Sequence, residues 1–111
     1  MPLTVTIGAA TADRRQVILA GYVDESTASV LLAALDQAVL GPSGAGSPAV
    51  LEVDMAQVTH FSLAGLRVLD DVQHRSGCSV VLLGADRQVR RLLEVLHLQE
   101  RFGLPSAHPS R

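Results

Sequence analysis

The sequence predicts one α/β domain with a mixed sheet of four or five strands and three or four helices, mostly on one side of the sheet. Three observations predict this class. The 111 residues are enough for one domain with a core of its own. Apolar residues make up 48% of the chain but aromatic residues only 3%, so Val, Leu and Ala must fill that core. Two strand-like segments open the chain, and helix-like and strand-like periodicities then alternate.

The first two strands are predicted to form an antiparallel hairpin. Weak alternation of apolar and polar residues covers Thr4–Ile7, and a stronger strand pattern covers Gln16–Val23. The residues between them, Gly8–Arg14, are small or polar and predict a turn region. A connection this short favours strands that pair with each other.

A helix should follow the second strand almost at once. Its N-terminal cap is predicted to be one of three polar residues, Asp24, Ser26 or Thr27. Apolar residues at steps of three and four predict one buried face, made by Ala28, Leu31, Leu32, Leu35 and Val39. The helix should stop at Gly41-Pro42, and Gly41–Pro48 should form a flexible connection within the domain.

The next strand, Ala49–Asp54, is apolar at nearly every position and is therefore predicted to be central in the sheet, with Asp54 as a turn residue at its end. Ser62 is a candidate N-cap for a helix that continues to Arg75 and ends at Gly77. The inward positions of this helix are predicted to be Leu66, Leu69 and Val72.

The last strand and helix are predicted from residues 78 to 96. Cys78–Leu83 reads as a buried strand, and Asp86 is a candidate cap for a third helix. The helix should bury Val89, Leu92, Leu93 and Leu96. Its outer face should carry Arg87, Arg90, Arg91 and Glu94, with an ion pair between Arg90 and Glu94 and with the arginines either solvated or in contact with a partner. Residues 1–103 are predicted to be the domain and 104–111 a flexible tail.

Composition argues against several classes of function. The formal net charge is −2 and no basic stripe is present, so we expect no nucleic-acid binding. The single cysteine, Cys78, permits no internal disulfide and is expected to be a small buried residue. The four histidines, His60, His74, His97 and His108, are scattered without metal-ligand spacing and should lie on the surface. We therefore expect no metal, no cofactor and no enzymatic activity.

Hydropathy gives an expectation about location. No segment contains the roughly 18 consecutive apolar residues that a membrane-spanning helix needs, and the N-terminus lacks the pattern of a secretory signal. We therefore expect a cytoplasmic protein that does not insert into membranes.

Three segments of the chain resemble STAS domains, the fold of bacterial anti-sigma factor antagonists. VILAGYVDESTASVLLAAL resembles the strand that ends in Gly-x-Leu/Val-Asp before a helix, with Gly21, Val23 and Asp24 at the matching positions. AVLEVDMAQVTHFSLAGLRVL resembles the apolar strand and the Asp-Ser-Ser/Thr/Ala-Gly turn that follow, and GCSVVLLGADRQVRRLLEVLHLQERF resembles the last strand and helix. The resemblance runs from Gln16 to Phe102, and the order and spacing of the pieces carry it.

This resemblance implies a function. Such antagonists bind an anti-sigma factor, often an ATP-dependent serine kinase, and so release a sigma factor for transcription. The kinase phosphorylates the first Ser of the Asp-Ser-x-Gly turn, and the added charge expels the partner. With Gly65 aligned on the Gly of this turn, Ser62 stands at the Asp position and Leu63 at the phosphoacceptor position. The usual phosphorylation switch is therefore predicted to be absent.

The resemblance also implies the residues that contact a partner: Asp24, Ser62, Leu63, Ala64, Gly65 and Arg67. Some roles stay open at this point. Ser62 is either a helix cap or a phosphorylation site shifted by one residue. Leu63 is either an exposed partner contact or a residue tucked against its own domain. Asp24 either bonds to the Ser62 turn, contacts the partner or caps the first helix, and His60 beside the turn is a further candidate contact.

Two other functions remain open from the sequence. The chain is either the STAS subunit of another assembly, such as a lipid or ABC transport complex or a stress-sensing scaffold, or a sensor of a nucleotide or lipid. The expected oligomeric state is a monomer or a weak homodimer formed through the apolar Leu63.

Overall fold

The computed structural model describes residues 3–11, 13–40, 48–98 and 100–103. Within them the chain forms four strands, β1 Leu3–Ala10, β2 Arg14–Val23, β3 Val50–Phe61 and β4 Ser79–Leu83. It also forms three α-helices, α1 Ala28–Leu40, α2 Leu63–Ser76 and α3 Arg87–Val95, and a 3₁₀ turn at Glu100–Phe102. Three predicted features lie outside the described residues: the stop at Gly41-Pro42, all of the following connection but Pro48, and the tail 104–111.

The strands form one mixed sheet in the order β1-β2-β3-β4. β1 and β2 are antiparallel, with Val5 opposite Leu19, and this confirms the predicted hairpin. β2, β3 and β4 are parallel, and each parallel connection passes through a helix. The predicted α/β class and mixed sheet are therefore confirmed. Parallel order places the C-terminal ends of β2 and β3 at the same edge, and this edge holds the candidate site.

Strict alternation along the strands buries one face of the sheet. In β2, Val17 and Leu19 are fully buried while Ile18 between them is half-buried, and β4 repeats the pattern with Val80 and Leu82 on either side of Val81. The helices cover this face with residues at helical spacing, of which Leu31, Leu35, Val39, Leu66, Leu69 and Val72 were predicted. Burial of this aliphatic set supplies the main favourable term in folding.

The third strand is longer than the sequence predicts, and the expectation that Asp54 ends it is wrong. β3 continues for seven residues beyond Asp54, to Phe61. It does so because the ten-residue strand β2 offers a partner along its whole length, as far as the pair Val23 and Phe61. The register shifts between the pairs of Ile18 and Ala20, and the Asp54 carboxylate accepts a hydrogen bond from the Ala56 amide there (2.9 Å).

Two expectations about the third helix are also wrong. The helix ends at Val95, so Leu96 leaves the helical face and is 39% exposed instead of buried. The Arg90 guanidinium donates through Nε to the Ala85 carbonyl (3.0 Å), and no ion pair with Glu94 forms among the described residues. The outward face of Arg87, Arg90 and Arg91 is confirmed.

The predicted caps of the second and third helices are confirmed. The Ser62 hydroxyl accepts from the Ala64 amide, and the Asp86 carboxylate accepts from the Val89 amide (3.0 Å). Gly77 ends α2 in the left-handed conformation, with φ of 78°. Cys78 is buried, as predicted, with its sulfur 3.0 Å from the Ser76 hydroxyl.

One buried charge was not predicted from the sequence. Arg15 is only 7% exposed, because it alternates with Val17 and so lies on the core face of β2. Its Nη1 donates to the carbonyls of Ala38 (2.8 Å) and Val39 (2.6 Å), in the last turn of α1. A cation at the C-terminal end of a helix satisfies carbonyls that lack helical partners and interacts favourably with the helix dipole. Arg15 therefore fixes the end of α1 to the sheet.

Candidate functional site

Two loops meet where β2 and β3 end. Val23 and Phe61 are paired at the last position of their strands, and the next backbone amide, that of Ser62, donates to the Val23 carbonyl (2.9 Å). This bond holds the turn at Ser62–Gly65 beside the loop that starts at Asp24. Asp24 lies 38 positions before Ser62 in the sequence, and the parallel pairing brings these two parts of the predicted site to one edge of the sheet.

The Asp24 loop is held by its own side chains. The Asp24 carboxylate Oδ1 accepts from the Ser26 hydroxyl (2.6 Å), the Ser26 amide (2.8 Å) and the Thr27 amide (3.2 Å). The Thr27 hydroxyl accepts from the Asp24 amide (2.9 Å) and donates to the Tyr22 carbonyl (3.2 Å). The Thr27 carbonyl then accepts from Leu31, inside α1 (3.1 Å). Three roles were left open for Asp24 by the sequence. Its side-chain hydrogen bonds are those of a residue that closes the loop and caps the first helix.

These hydrogen bonds lower the pKa of the Asp24 carboxyl below its ordinary value of 3.8. The Ser26 hydroxyl is the main cause of the lowering. Desolvation opposes it, the amides of Ser26 and Thr27 add to it, and the nearby His60 contributes a small electrostatic effect. A carboxyl whose pKa is lower in the folded state contributes stability above its unfolded pKa, and this contribution is lost as the pH falls through the folded pKa. The loop therefore keeps its charge at neutral pH and loses it only in acid.

We expect removal of the Ser26 hydroxyl to raise the pKa of Asp24. In Ser26→Ala the largest cause of the lowering is gone, so the pKa should rise. In His60→Ala the rise should be smaller, because the electrostatic effect of His60 is the weakest cause. Carboxyl chemical shifts followed by NMR through acid titration measure both. Equal pKa values in Ser26→Ala and the wild-type protein would contradict the hydrogen bond.

The Ser62 turn starts α2 and has the geometry of a capped helix. Ser62 lies in the extended region, and its hydroxyl accepts from the Ala64 amide (3.2 Å). Its carbonyl accepts from the amides of Gly65 (3.0 Å) and Leu66 (3.4 Å). The capping role of Ser62 is therefore confirmed, while its phosphorylation remains an open prediction.

Leu63 lies at the tip of this turn, and 46% of it is exposed. It precedes Leu66, which is buried, by three residues, but it does not continue the buried face. The interpretation that Leu63 is tucked against its own domain is therefore wrong. A partly exposed leucine therefore occupies the position at which the Asp-Ser-x-Gly turn of STAS antagonists has its phosphoacceptor serine.

Gly65 is buried under the turn, and its lack of a side chain is a packing requirement. A Cβ atom there would lie 2.7 Å from two ring carbons of Phe61 and 2.7 Å from Cγ1 of Val23. Both neighbours are core residues at the strand ends. The first turn of α2 therefore sits directly on the ends of β2 and β3 only because residue 65 is a glycine.

The remaining predicted residues divide into surface and interior. Arg67 and His60 are exposed, and Ala64 is half-buried. The structure adds one residue that the prediction missed, Tyr22, which is 36% exposed and paired with His60 across the strands. It also shows that Thr27, one of the three predicted cap candidates, is buried. The Ser-Thr pair after Asp24 was a signal for Thr27, but the sequence offered three cap candidates and no way to rank them.

The described residues show no metal centre. His60, His74 and His97 lie apart on the surface, and His108 is outside the described range. Among the residues that the structure describes, no three His, Cys, Asp or Glu side chains come together to hold an ion. In the same part of the chain, no helix is both long and apolar enough to cross a membrane.

Two surface depressions lie away from the turn. One, of about 340 Å³, is between the C-terminal ends of α1 and α2 and includes Asp36 and Arg75. The other, of about 520 Å³, is lined by Arg87, Arg90, Arg91 and Glu94. Neither of these two depressions is lined by a residue of the Asp24 loop or the Ser62 turn.

The fold, the paired loops and the glycine-based turn are those of a STAS domain. The family model described as "Mlab, STAS domain" matches residues 8–105, so the chain belongs to the STAS domain family. A search of curated protein sequences found no significant match.

Solved structures with this fold include anti-sigma factor antagonists. The antagonist from Mycobacterium paratuberculosis is 22% identical with a TM-score of 0.73, and the match covers 96% of this chain and 87% of that one. The Bacillus cell fate determinant SpoIIAA in its phosphorylated form is 12% identical with a TM-score of 0.66, over 96% and 93%. A sulfate transporter family protein from Wolinella succinogenes is 18% identical with a TM-score of 0.52, over 78% and 71%. At these identities the likeness shows the shared fold.

Proposed function

We propose that this STAS domain binds a partner protein through the edge formed by the Asp24 loop, the Ser62 turn and the start of α2, as an anti-sigma factor antagonist binds its anti-sigma factor. The observation that carries the proposal is Leu63, 46% exposed at the tip of a turn that is fixed to β2 by the bond from Ser62 to Val23. A large apolar side chain held in solvent on a rigid element suits the centre of a protein interface.

The charges around this tip support a protein partner over a small ligand. Asp24 and Glu25 supply negative charge on one side of Leu63, and Arg67 supplies positive charge on α2. Charged groups around an apolar centre match the usual arrangement of a polar rim and a dry core. Gly65 and Thr27 are buried and hold the two loops in place. The residues proposed to contact the partner are Leu63, Ala64, Arg67 and those of the Asp24 loop.

The proposal includes the absence of the usual switch. A leucine has no hydroxyl to accept a phosphoryl group. The neighbouring Ser62 hydroxyl caps the helix by accepting a hydrogen bond from the Ala64 amide. A domain without this acceptor hydroxyl should still bind its partner when that partner is a serine kinase supplied with ATP. Binding is then regulated by the amount of the domain or by another route that involves neither phosphorylation nor dephosphorylation of residue 63.

The test is a pull-down from a lysate of the source organism, with the tagged domain as bait, with and without Mg-ATP. We expect an anti-sigma factor to be retained by the wild-type domain and not released by ATP. Leu63→Glu should reduce retention at least tenfold, because it places a charge at the centre of a desolvated contact. Gln88→Glu is the matched control, since it adds the same charge on the exposed face of α3 and should retain the partner fully.

A second variant tests the switch. Ser62→Asp combined with Leu63→Ser restores the acidic residue and the acceptor of the resembled turn, and Asp is as good an N-cap as Ser. With a kinase partner, this variant should gain a phosphate and be released by Mg-ATP, whereas the wild-type domain should not. Release and phosphorylation of the wild-type domain would disprove the absence of a switch. Equal retention of wild-type and Leu63→Glu bait would disprove the binding edge.

The retained protein also decides between the two binding roles. The sulfate transporter family protein shows that this fold occurs in transporter proteins as well. Retention of transporter subunits through Leu63 would keep the binding edge and overturn the anti-sigma factor role.

A further inference from the structure

The two edges of the sheet differ in how the fold covers them. At one edge, β4 packs against the turn Glu100–Phe102, and Gly103 lies against Val81 of this strand. At the other edge lies β1, and no element of the described part of the chain pairs with its outer side. An unpaired edge strand presents a row of backbone amides and carbonyls with which another strand can pair.

β1 lacks most of the features that prevent edge strands from pairing. Charged residues and proline are common in such strands, and Leu3–Ala10 contains neither. Its register against β2 is regular from Leu3 to Ile7, and the irregularity lies beyond, between Ile7 and Ala10. The residues from Thr4 to Ile7 are all β-branched, a type that favours strands. Residues 3–7 therefore form a regular segment, about 17 Å long at about 3.4 Å per residue, which we call the β1 edge.

The apolar face of the sheet reaches solvent at the β1 edge. Ile7 is paired with Val17, which is fully buried, but Ile7 itself is 56% exposed. Leu3 and Val5 lie on the same face of β1 and are half-buried against the core. Helix α1 contacts both β1 and β2 but leaves Ile7 in solvent. A strand added beside β1 would extend this face of the sheet and cover Ile7.

We propose that the β1 edge pairs with the β1 edge of a second copy of this chain, antiparallel about Val5. The order apolar, Thr, apolar, Thr, apolar reads the same in both directions. A two-fold axis at Val5 therefore places Leu3 beside Ile7 on the core face and Thr4 beside Thr6 on the opposite face. Aliphatic β-branched pairs and threonine pairs are both favourable across antiparallel strands.

The composition of the β1 edge favours a second copy over a different protein. A two-fold contact brings the same residues of both copies together, so a charge on the edge would meet its own sign nearby. Sheet proteins use such charges to keep their edges apart, and the β1 edge has none. The neighbouring residues 16–22 of β2 are also uncharged. An antiparallel copy matches the side-chain type at every position of the edge, which an unrelated strand need not do.

This contact is independent of the proposed partner edge, because none of its residues belongs to the Asp24 loop or the Ser62 turn. A short strand pair buries less area than a standard interface, so the dimer should be weak. We expect a dissociation constant between about 10 µM and 1 mM. Sedimentation equilibrium should show the weight-average mass rising from that of one 11.7 kDa chain toward that of two across this range. Leu63→Glu should dimerise as the wild-type chain does, because Leu63 lies outside the β1 edge.

A charge-exchange experiment tests the pairing itself. Thr4→Glu with Thr6→Glu places like charges opposite each other across the two-fold axis, and Thr4→Lys with Thr6→Lys does the same with the opposite sign. Both positions are exposed. Each variant alone should dimerise about tenfold more weakly than the wild-type chain, or weaker still. An equimolar mixture should return to within about threefold of the wild-type dissociation constant, because Glu then faces Lys.

Two controls separate the pairing from other effects of these substitutions. Gln88→Glu with Arg91→Gln changes the net charge by the same amount as the double-Glu variant, but on the exposed face of α3, and should dimerise as the wild-type chain does. Glu and Lys are less favourable than Thr in strands, so circular dichroism and thermal unfolding check that each variant keeps the fold.

Four results would overturn the proposal. A wild-type chain that stays monomeric up to about 1 mM would leave the β1 edge unpaired or to a strand of another protein. Dimerisation of both charged variants at the wild-type concentration would place the contact elsewhere, as would loss of the dimer in Leu63→Glu. A mixture of the two charged variants that does not associate would disprove the antiparallel pairing about Val5.

Discussion

Phe102→Ala should lower the free energy of unfolding by about 3–5 kcal/mol, the range found when a buried aromatic residue is truncated. Phe102 is fully buried, although it lies in a three-residue 3₁₀ turn close to the end of the described chain. Small domains have total stabilities of about 5–15 kcal/mol, so this change removes a large part of the total.

The position of Phe102 explains the size of this effect. The turn that carries Phe102 packs against β4, the edge strand of the sheet. Without this turn, β4 would be an uncovered edge strand. The neighbouring Gly103 lies against Val81, where a Cβ atom would approach the valine methyls to 3.0 Å. Arg101 pairs with Asp70 of α2 (3.2 Å). Loss of the Phe102 ring therefore leaves a cavity between β4 and the helical layer.

Urea denaturation measures this prediction. The midpoint should fall with little change in the slope, since the surface exposed on unfolding stays nearly the same. Val95→Ala is the matched control, because it also removes apolar atoms but from a side chain that is 64% exposed, and it should change the stability by less than about 0.5 kcal/mol. Phe102→Leu should fall between the two. A loss below about 1 kcal/mol in Phe102→Ala would show that the ring is not part of the core.

Gly65→Val should lower the free energy of unfolding by about 3 kcal/mol, at the upper end of the usual cost of overpacking. The added Cβ would lie 2.7 Å from both Phe61 and Val23, and neither neighbour is free to retreat, because both are core residues at paired strand ends. Valine is a slightly better helix former than glycine, so backbone propensity does not explain a loss. The first turn of α2 must instead move away from the sheet.

The same variant should loosen the site locally. Displacement of the turn breaks the hydrogen bond from the Ser62 amide to the Val23 carbonyl, so the Ser62 amide should lose protection from hydrogen exchange more than amides at the other end of α2 do. Arg67→Val is the control, since it introduces the same residue two positions later on the exposed side of the helix. Its cost should stay below about 1 kcal/mol. Equal losses in the two variants would contradict a specific clash at Gly65.

Several predictions that depend on local chemistry are confirmed by the structure. Ser62 and Asp86 cap their helices because a short oxygen-bearing side chain before an apolar-periodic run satisfies free amides wherever the helix lies in the fold. Gly77 ends α2 because a left-handed residue suits glycine in any context. The periodicity of the helices likewise identified most of the buried face.

The failed prediction for β3 and the missed burial of Arg15 depend on partners distant in sequence, whereas the failures in the third helix are local. The length of β3 beyond Asp54 follows from the length of β2, and the two strands are joined only through a helix and a connection. The burial of Arg15 depends on carbonyls of Ala38 and Val39, more than 20 positions away. Leu96 followed the spacing of a buried residue and became exposed because the helix ends at Val95.

The candidate site divides in the same way. The resemblance of the Asp24 and Gly65 segments identified the two loops, and the residue types alone excluded phosphorylation of Leu63. Their meeting at one edge required the parallel pairing of β2 with β3, and the exposure of Leu63 required the packing of Gly65 on Phe61 and Val23. Helical spacing favoured a buried and an exposed Leu63 equally.

The sequence by itself determined the class of fold, the caps of the second and third helices, and the absence of an acceptor hydroxyl at residue 63, because each follows from residue types and short-range spacing. Only the tertiary structure decided the extent of β3, the burial of Arg15 and Phe102, and the exposure of Leu63. These features depend on which surfaces meet when the helices pack on the sheet, and that packing is set by contacts between residues far apart in the chain.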